Sequence, residues 1–206
     1  MSDTFSTTEQ HASYGIGRQL GDQLKNKPFS AFDFDAALAG FTDGMYGRDL
    51  QVSADDINAA FKIIQDTIQK EKDAEAEKLG ADGKEFLENN AKRDEVTVTE
   101  SGLQYEILVT GDGPLPTKES TVRTHYHGTL INGTIFDSSV DRGQPAEFPV
   151  GGVIAGWTEA LQMMPVGSKW RLFVPYDLAY GERGAGGQIG PYTTLIFDVE
   201  LLDIVA

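Results

Sequence analysis

The sequence predicts an α+β chain: an all-helical N-terminal domain, a long connecting helix, then an antiparallel β-sheet wrapped around a short α-helix. Apolar residues recur at helical spacing before about residue 93 and mostly alternate after about residue 100, which sets the order of the two classes. Seven of the eight prolines lie beyond residue 113, so the break is compositional as well as periodic. One stretch of the second half, VIAGWTEALQMM, returns to helical spacing and supplies the short helix. The matching boundaries are 1–52 for the helical domain, 53–93 for the connecting helix and 94–206 for the sheet domain.

Around SYGIGRQLG, Gly17 and Gly21 stand four residues apart, with Leu20 and Leu24 on the same face and Ile16 alongside. Such a face lets another helix approach closely, whether from the same chain or from a second copy. Phe34, Leu38, Phe41 and Met45 then follow at intervals of four, three and four, an amphipathic helix with Asp33 as its N-cap. Ser53 precedes Ala54, Asp55 and Asp56, a helix start with acids in its first turn. From there Ile57, Phe61, Ile64 and Ile68 form one apolar stripe. The stripe stops, but helix-favouring residues run on to Lys92, so a single helix would be about 60 Å long. Gly80 and Gly83 are its weak points, each costing about 1 kcal/mol against Ala. With a far end polar all round, this helix is predicted to span solvent between two bodies. A helical body of fewer than about 70 residues with thin apolar faces needs a partner, which predicts a homodimer through the N-terminal domain.

The second half is a series of alternating strands. Leu103, Tyr105, Ile107 and Val109 share one side, as do Val122, Thr124 and Tyr126. Asn132-Gly133 makes the next hairpin turn. Val153, Ile154, Trp157 and Leu161 form the short helical stripe. Two more alternating sets follow, Trp170, Leu172, Val174 and then Leu195, Phe197, Val199, Leu201.

Composition narrows the function. Apolar residues are 40% and charged residues 24% of 206, an ordinary globular balance. A net charge of −15 argues against nucleic acid and anionic membrane as partners. The absence of cysteine removes disulfides, thiolate metal sites and thiol nucleophiles. MSDTFSTTEQ has neither a basic stretch nor an apolar run, and no run of about 18 apolar residues occurs, so a soluble, cytoplasmic chain is expected.

No G-x-S-x-G elbow or P-loop is present, and the glycines of GERGAGG are wrongly spaced for a dinucleotide turn. His125 and His127 flank Tyr126 and would share a strand face, but no third ligand is suggested, so neither metal nor cofactor is expected. Asp137 directly follows Phe136: it either ends a strand and starts a turn, or is a carboxylate held against rings for use. It could also pair with Glu147 or Asp177 as an acid–base couple. Tyr126, Phe136, Phe148, Trp157, Tyr180 and Phe197 all lie near turns, several beside polar groups, which suggests a concave apolar pocket with a polar rim.

VRTHYHGTLINGTIFDSS, VIAGWTEALQMMPVGSKWRLFVPYDLAYG and TLIFDVELLDI closely resemble the FKBP-type peptidyl-prolyl cis–trans isomerases, over roughly residues 100–206. The two short helices and one long one resemble the bacterial two-domain dimeric branch that includes the macrophage infectivity potentiators. The resemblance implies an FKBP-like sheet domain and an isomerase that rotates X–Pro bonds and assists folding. The alternative is a dimeric substrate-binding chaperone or adaptor with an FKBP fold and little turnover. Expected partners are prolyl peptides, unfolded or partly folded proteins, and the macrolide inhibitors tacrolimus and rapamycin. Carried over residue by residue, catalytic roles fall on Asp137, Tyr180, Phe197 and Phe136, with Tyr126, Phe148, Val153, Ile154, Trp157, Ile189 and Arg142 binding substrate. Trp157 would be the floor, with Phe136 and Phe197 as walls. The Ile154 amide and Tyr180 hydroxyl would hold substrate carbonyls, and Asp137 would be tied to Arg142 and Tyr126. Ala146 stands where many members have an aromatic, and Ala185, Gly186, Gly187, Gln188 and Gly190 replace bulkier or apolar positions, so a pocket open on the loop side is expected.

Overall fold

The computed structural model describes residues 4–25 and 28–205, and divides into two compact units, Met1–Glu71 and Lys72–Ala206. In the first unit, α1 (Thr8–Leu24) opens with a capping box: the Thr7 hydroxyl accepts the Gln10 N–H at 3.2 Å, and the Gln10 side chain accepts the Thr7 N–H at 3.1 Å. α2 (Phe34–Tyr46) is capped as expected, with Asp33 accepting the N–H groups of Asp35 and Ala36 at 2.9 and 3.0 Å. Gly47, at φ 61°, ends it in the left-handed conformation that glycine adopts without steric cost. The expected stripe lies on α2, yet Phe34, Leu38, Phe41 and Met45 are 48–70% exposed. No residue of α1 is buried.

α3 (Ala54–Asn90) is one helix of 37 residues, about 55 Å long, and the Ser53 hydroxyl caps it by accepting the Asp56 N–H at 3.1 Å. Its second half departs from expectation. Within the second unit it is docked on the sheet domain rather than solvated all round. Gly83 and Asn90 are buried, with Leu79, Gly80, Phe86 and Leu87 partly so, at helical spacing along one face. Phe86 meets Phe173 at 5.9 Å between ring centroids, and Asn90 donates to the Gln104 side chain at 2.8 Å. A Cβ on Gly83 would stand 2.5 Å from the Thr194 hydroxyl, so that glycine is a site of close approach, not merely a weak point. Its two most buried positions are a glycine and an amide, which interrupt the apolar series of Leu79, Phe86 and Leu87.

The sheet has seven antiparallel strands. In chain order they are β1 (Val96–Val98), β2 (Gln104–Val109), β3 (Thr121–Leu130), β4 (Ile135–Ser138), β5 (Ala146–Pro149), β6 (Lys169–Val174) and β7 (Leu195–Ile204). Their spatial order is β1-β2-β6-β7-β3-β4, with β5 sharing the edge of β3. Alternation holds strictly on β3 and β7, where Val122, Thr124, Tyr126 and Leu195, Phe197, Val199, Leu201 are buried. It fades along β2: Leu103 is buried just before it, but Ile107 and Val109 are about half exposed, at 48% and 51%. α4 (Ala155–Met163) packs into the sheet's concave side so closely that a Cβ on Gly156 would sit 2.6 Å from Val174. It starts later than the stripe implies: Val153 and Ile154 precede it, Ile154 as its N-cap residue. The Asn132-Gly133 turn forms with Gly133 at φ 85°, and Leu130 accepts the Gly133 N–H and donates to Thr134, both at 2.9 Å.

Candidate functional site

One edge of β3 pairs with β7 and the other with two short strands in turn, β5 along its start and β4 along its end, and Tyr126 lies between those two short pairings. β4 then solves a problem of parity. Adjacent strand residues point to opposite faces, yet both Phe136 and Asp137 border one cavity. The register supplies the reason: Asp137 pairs with Gly128 and Ile135 with Thr129, leaving Phe136 as the extra residue of a β-bulge.

The cavity holds about 470 Å³ and is lined by Tyr126, Phe136, Asp137, Phe148, Gly152, Val153, Ile154, Trp157, Tyr180 and Phe197. Trp157, in the first turn of α4, is its hub. Tyr126, Phe148 and Phe197 meet the indole edge-on at 5.5, 5.8 and 5.3 Å, and Phe136 meets Phe197 at 5.4 Å. The Trp157 Nε1–H is buried with no partner among the described residues, a donor left unsatisfied at the cost of about 1–3 kcal/mol. Gly128, opposite Asp137, lets the rings close: a Cβ there would come within 2.7 Å of Phe136 and 3.0 Å of Phe197. Gly152 also borders the cavity, and a Cβ there would lie 2.7 Å from Pro149. Neither glycine was expected in the site. The only signal for Gly128 is a glycine inside an otherwise β-branched and aromatic strand.

Three polar side chains close a triangle at one wall. The Tyr126 hydroxyl donates to Asp137 Oδ2 at 2.5 Å, Arg142 donates to Asp137 Oδ1, and Arg142 also donates to the Tyr126 oxygen at 2.8 Å. Burial is the largest single influence on Asp137 and opposes its charge. The bonds from Tyr126 and Arg142, the Arg142 charge and the Ser138 N–H together outweigh it, holding the carboxyl below its ordinary value. Burial, and then the bond to Asp137, push the Tyr126 phenol up. At the rim, the Tyr180 hydroxyl and the Ile154 backbone N–H have no protein partner among the described residues.

Nine of the eleven expected site residues therefore border one cavity, and Arg142 reaches it through Asp137 and Tyr126. Ile189 does not border it. The glycines at 184, 186 and 187, all at positive φ, fold the loop back so that Ala185 and Ile189 bond each other at 2.9 and 3.1 Å, and Ile189 is buried in the hydrophobic core. The loop from Ala185 to Gly190 contributes no lining residue. Glu147 pairs with Arg123 at 2.8 Å and Asp177 is exposed, and neither borders the cavity as an acid–base partner of Asp137. His125 and His127 lie on the face opposite Tyr126, each within 3.1 Å of a serine hydroxyl. A larger groove of about 910 Å³, between the second half of α3 and Tyr176 and Tyr192, gathers none of the expected residues.

Comparison with known proteins gives the family. Residues 113–202 match the family model described as FKBP-type peptidyl-prolyl cis-trans isomerase, and residues 9–107 match the domain amino terminal to it. The FKBP-type 22 kDa peptidyl-prolyl cis-trans isomerase of Escherichia coli (strain K12) is 48% identical over 202 residues, 98% of each chain. The outer membrane protein MIP of Legionella longbeachae is 42% identical, covering 98% of this chain and 88% of its own. The crystal structure of FkpA from Escherichia coli superposes with a TM-score of 0.72 at 36% identity, covering 98% of both chains. Matching the isomerase model and the domain that precedes it, with the aromatic cavity lying wholly inside the isomerase match, the chain belongs to the FKBP-type peptidyl-prolyl cis–trans isomerases.

Proposed function

We propose that the Trp157 cavity is where this isomerase rotates X–Pro bonds, with Asp137 organising the wall rather than acting on the amide. One observation carries the reading: a desolvated ring cage has two free donors, the Ile154 N–H and the Tyr180 hydroxyl, at its rim. Rotation about the prolyl amide is opposed by resonance, a barrier of about 18–20 kcal/mol, and breaks no covalent bond. Twisting removes conjugation and leaves a less charge-separated amide, which an apolar cage favours over the planar form. The Ile154 N–H and Tyr180 hydroxyl would hold flanking carbonyls in a turn, so that binding is strongest at the twisted state. Both Asp137 oxygens are already engaged by Tyr126 and Arg142, which favours the organising role.

Phe197→Ala and Asp137→Ala should each lower kcat/KM on a prolyl tetrapeptide by about tenfold to a hundredfold, and rapamycin should compete with the peptide. Tight binding of prolyl peptides without turnover would instead favour the chaperone or adaptor reading. Unchanged turnover in both variants would remove the pocket assignment.

For assembly we infer a homodimer through the first unit. Tyr14, Ile16, Leu38, Phe41, Met45 and Phe61 are between 48% and 70% exposed there, more apolar surface than a small soluble body leaves in water. On α1, Cβ atoms at Gly17 and Gly21 would meet nothing within 4 Å, a face open to a second helix. Leu38→Glu with Phe41→Glu should halve the mass measured by light scattering; an unchanged mass in either direction, monomer or dimer in both proteins, contradicts the assignment. The expected cytoplasmic location stands against the name of the Legionella relative, an outer membrane protein. Cell fractionation separates the two, and recovery outside the cytosol would overturn the expectation.

A further inference from the structure

Around His125-Tyr126-His127, as elsewhere among the described residues, no group of three or more His, Cys, Asp or Glu side chains that could hold a metal ion occurs. The two imidazoles are nevertheless committed. The β3–β4 register sets His127 opposite Ser138, and directly opposed residues share a face. His127 Nδ1 lies 3.0 Å from the Ser138 hydroxyl. That hydroxyl is part of a residue only 5% exposed, and it also accepts the Asp141 N–H at 3.1 Å. The Ser138 carbonyl accepts the Arg142 N–H at 3.4 Å. One buried serine thus holds the backbone of the turn from which Arg142 reaches back to Asp137 and Tyr126.

The chemistry of the hydroxyl makes His127 matter. A serine hydroxyl carries one hydrogen and two lone pairs and spins freely unless bonded. With the Asp141 N–H on one lone pair, the second bond, to His127, fixes the rotor and keeps that lone pair facing Asp141. Arg142 needs such support, because its side chain is half exposed, at 51%, and an unanchored guanidinium of that length samples many rotamers. His127 cannot touch a prolyl peptide itself. It faces away from the Trp157 cavity and borders a second one, of about 550 Å³, together with Arg93, Arg171 and Asp198. Ser139 repeats the arrangement one residue on: its hydroxyl accepts the Tyr126 N–H at 2.8 Å and lies 3.1 Å from His125 Nδ1.

We propose that His127 is a positioning residue for the isomerase: its Nδ1 fixes the Ser138 hydroxyl, which holds the Asp141–Arg142 turn so that Arg142 stays on Asp137 and Tyr126. This rests on the pocket reading above, and the test separates the two. In the full-length chain, kcat/KM on a prolyl tetrapeptide and the melting temperature are measured for His127→Leu, His127→Asn and Ser138→Ala, each alone and combined with Arg142→Ala. His127→Leu should lower kcat/KM about threefold to tenfold, the loss expected of one neutral hydrogen bond. Asn, which can place an amide atom near the Nδ1 position, should restore most of it. In the Arg142→Ala background, His127→Leu should change kcat/KM no further, because its whole effect passes through that arginine. An equal loss in both backgrounds, or a lowered melting temperature at unchanged kcat/KM, reduces His127 to a structural residue and overturns the proposal. If the leucine variant does not fold, the Ser138→Ala cycle reads the same coupling. Undiminished activity in Arg142→Ala alone would overturn the proposal, whereas the pocket reading falls only with unchanged turnover in Phe197→Ala and Asp137→Ala.

Discussion

Asp137 sits between two opposed forces, and the balance has a pH signature. Burial alone would raise its pKa; Tyr126, Arg142 and the Ser138 N–H reverse that, so the folded value lies below the unfolded one, about 3.9. A lowered folded pKa contributes stability above the unfolded value and loses it as pH falls through the folded one. Tyr126 behaves in the opposite sense: its raised pKa gives a contribution present below about 10 and lost above it. The melting-temperature gap between wild type and Asp137→Asn should therefore stay constant from pH 8 to about 5 and narrow only below about 4. A gap that closes between pH 7 and 5 would mean that burial wins. Gly128→Ala tests the same wall sterically. The new methyl would meet Phe136 and Phe197 at 2.7 and 3.0 Å, so kcat/KM should fall by about tenfold, measured in a protease-coupled assay. The ring set was legible as a concentration of aromatics beside polar groups. That Phe136 and Asp137 face the same way was not, because a bulge belongs to the pairing of two strands and not to either strand's own alternation.

α2 and β3 could be read almost residue for residue, since a side-chain cap and strict alternation are local properties. α3 could be read only halfway. Its first stripe is made of isoleucines and a phenylalanine; its second breaks Leu79, Phe86 and Leu87 with Gly80, Gly83 and Asn90, residues that register as weakness or polarity. The structure splits the two glycines sharply. A Cβ on Gly83 would stand 2.5 Å from the Thr194 hydroxyl and 3.1 Å from its Cβ, whereas one on Gly80 would stand 3.4 Å from Tyr192. Helix propensity favours Ala over Gly by about 1 kcal/mol at both positions. Gly80→Ala should accordingly hold or raise stability by up to about 1 kcal/mol, while Gly83→Ala should lower it by about 1–3 kcal/mol as the helix is pushed off Thr194. Urea unfolding of the two variants decides it, and equal effects would mean that α3 does not dock through Gly83. Ile189 entered the site through the family resemblance alone; in the structure it sits in the hydrophobic core, at the end of a loop with three left-handed glycines.

For the whole molecule, the two compact units meet within α3, between Glu71 and Lys72, not at the end of the helix near residue 93. Where a truncation is made therefore decides what it reports. Removing residues 1–71 leaves Leu79, Gly83, Phe86 and Asn90 on the sheet domain, so the Trp157 cavity keeps its support and kcat/KM on a tetrapeptide should stay within about twofold. Removing residues 1–93 strips that helix away, uncovering Phe173 and leaving the Gln104 amide without Asn90, and should lower the melting temperature by several degrees. Neither deletion alters the cage itself, so a short peptide senses little of the first unit. A refolding protein senses more. If the first unit pairs two chains, one unfolded polypeptide meets two prolyl pockets at a high effective concentration, and capture by one favours capture by the other. The 1–71 deletion should then slow catalysed refolding of a proline-limited protein by about tenfold while sparing the tetrapeptide rate. Equal refolding catalysis by the truncated and full chains, at matched pocket concentration, would leave the apolar faces of α1 and α2 with some purpose other than holding two isomerase pockets on one substrate.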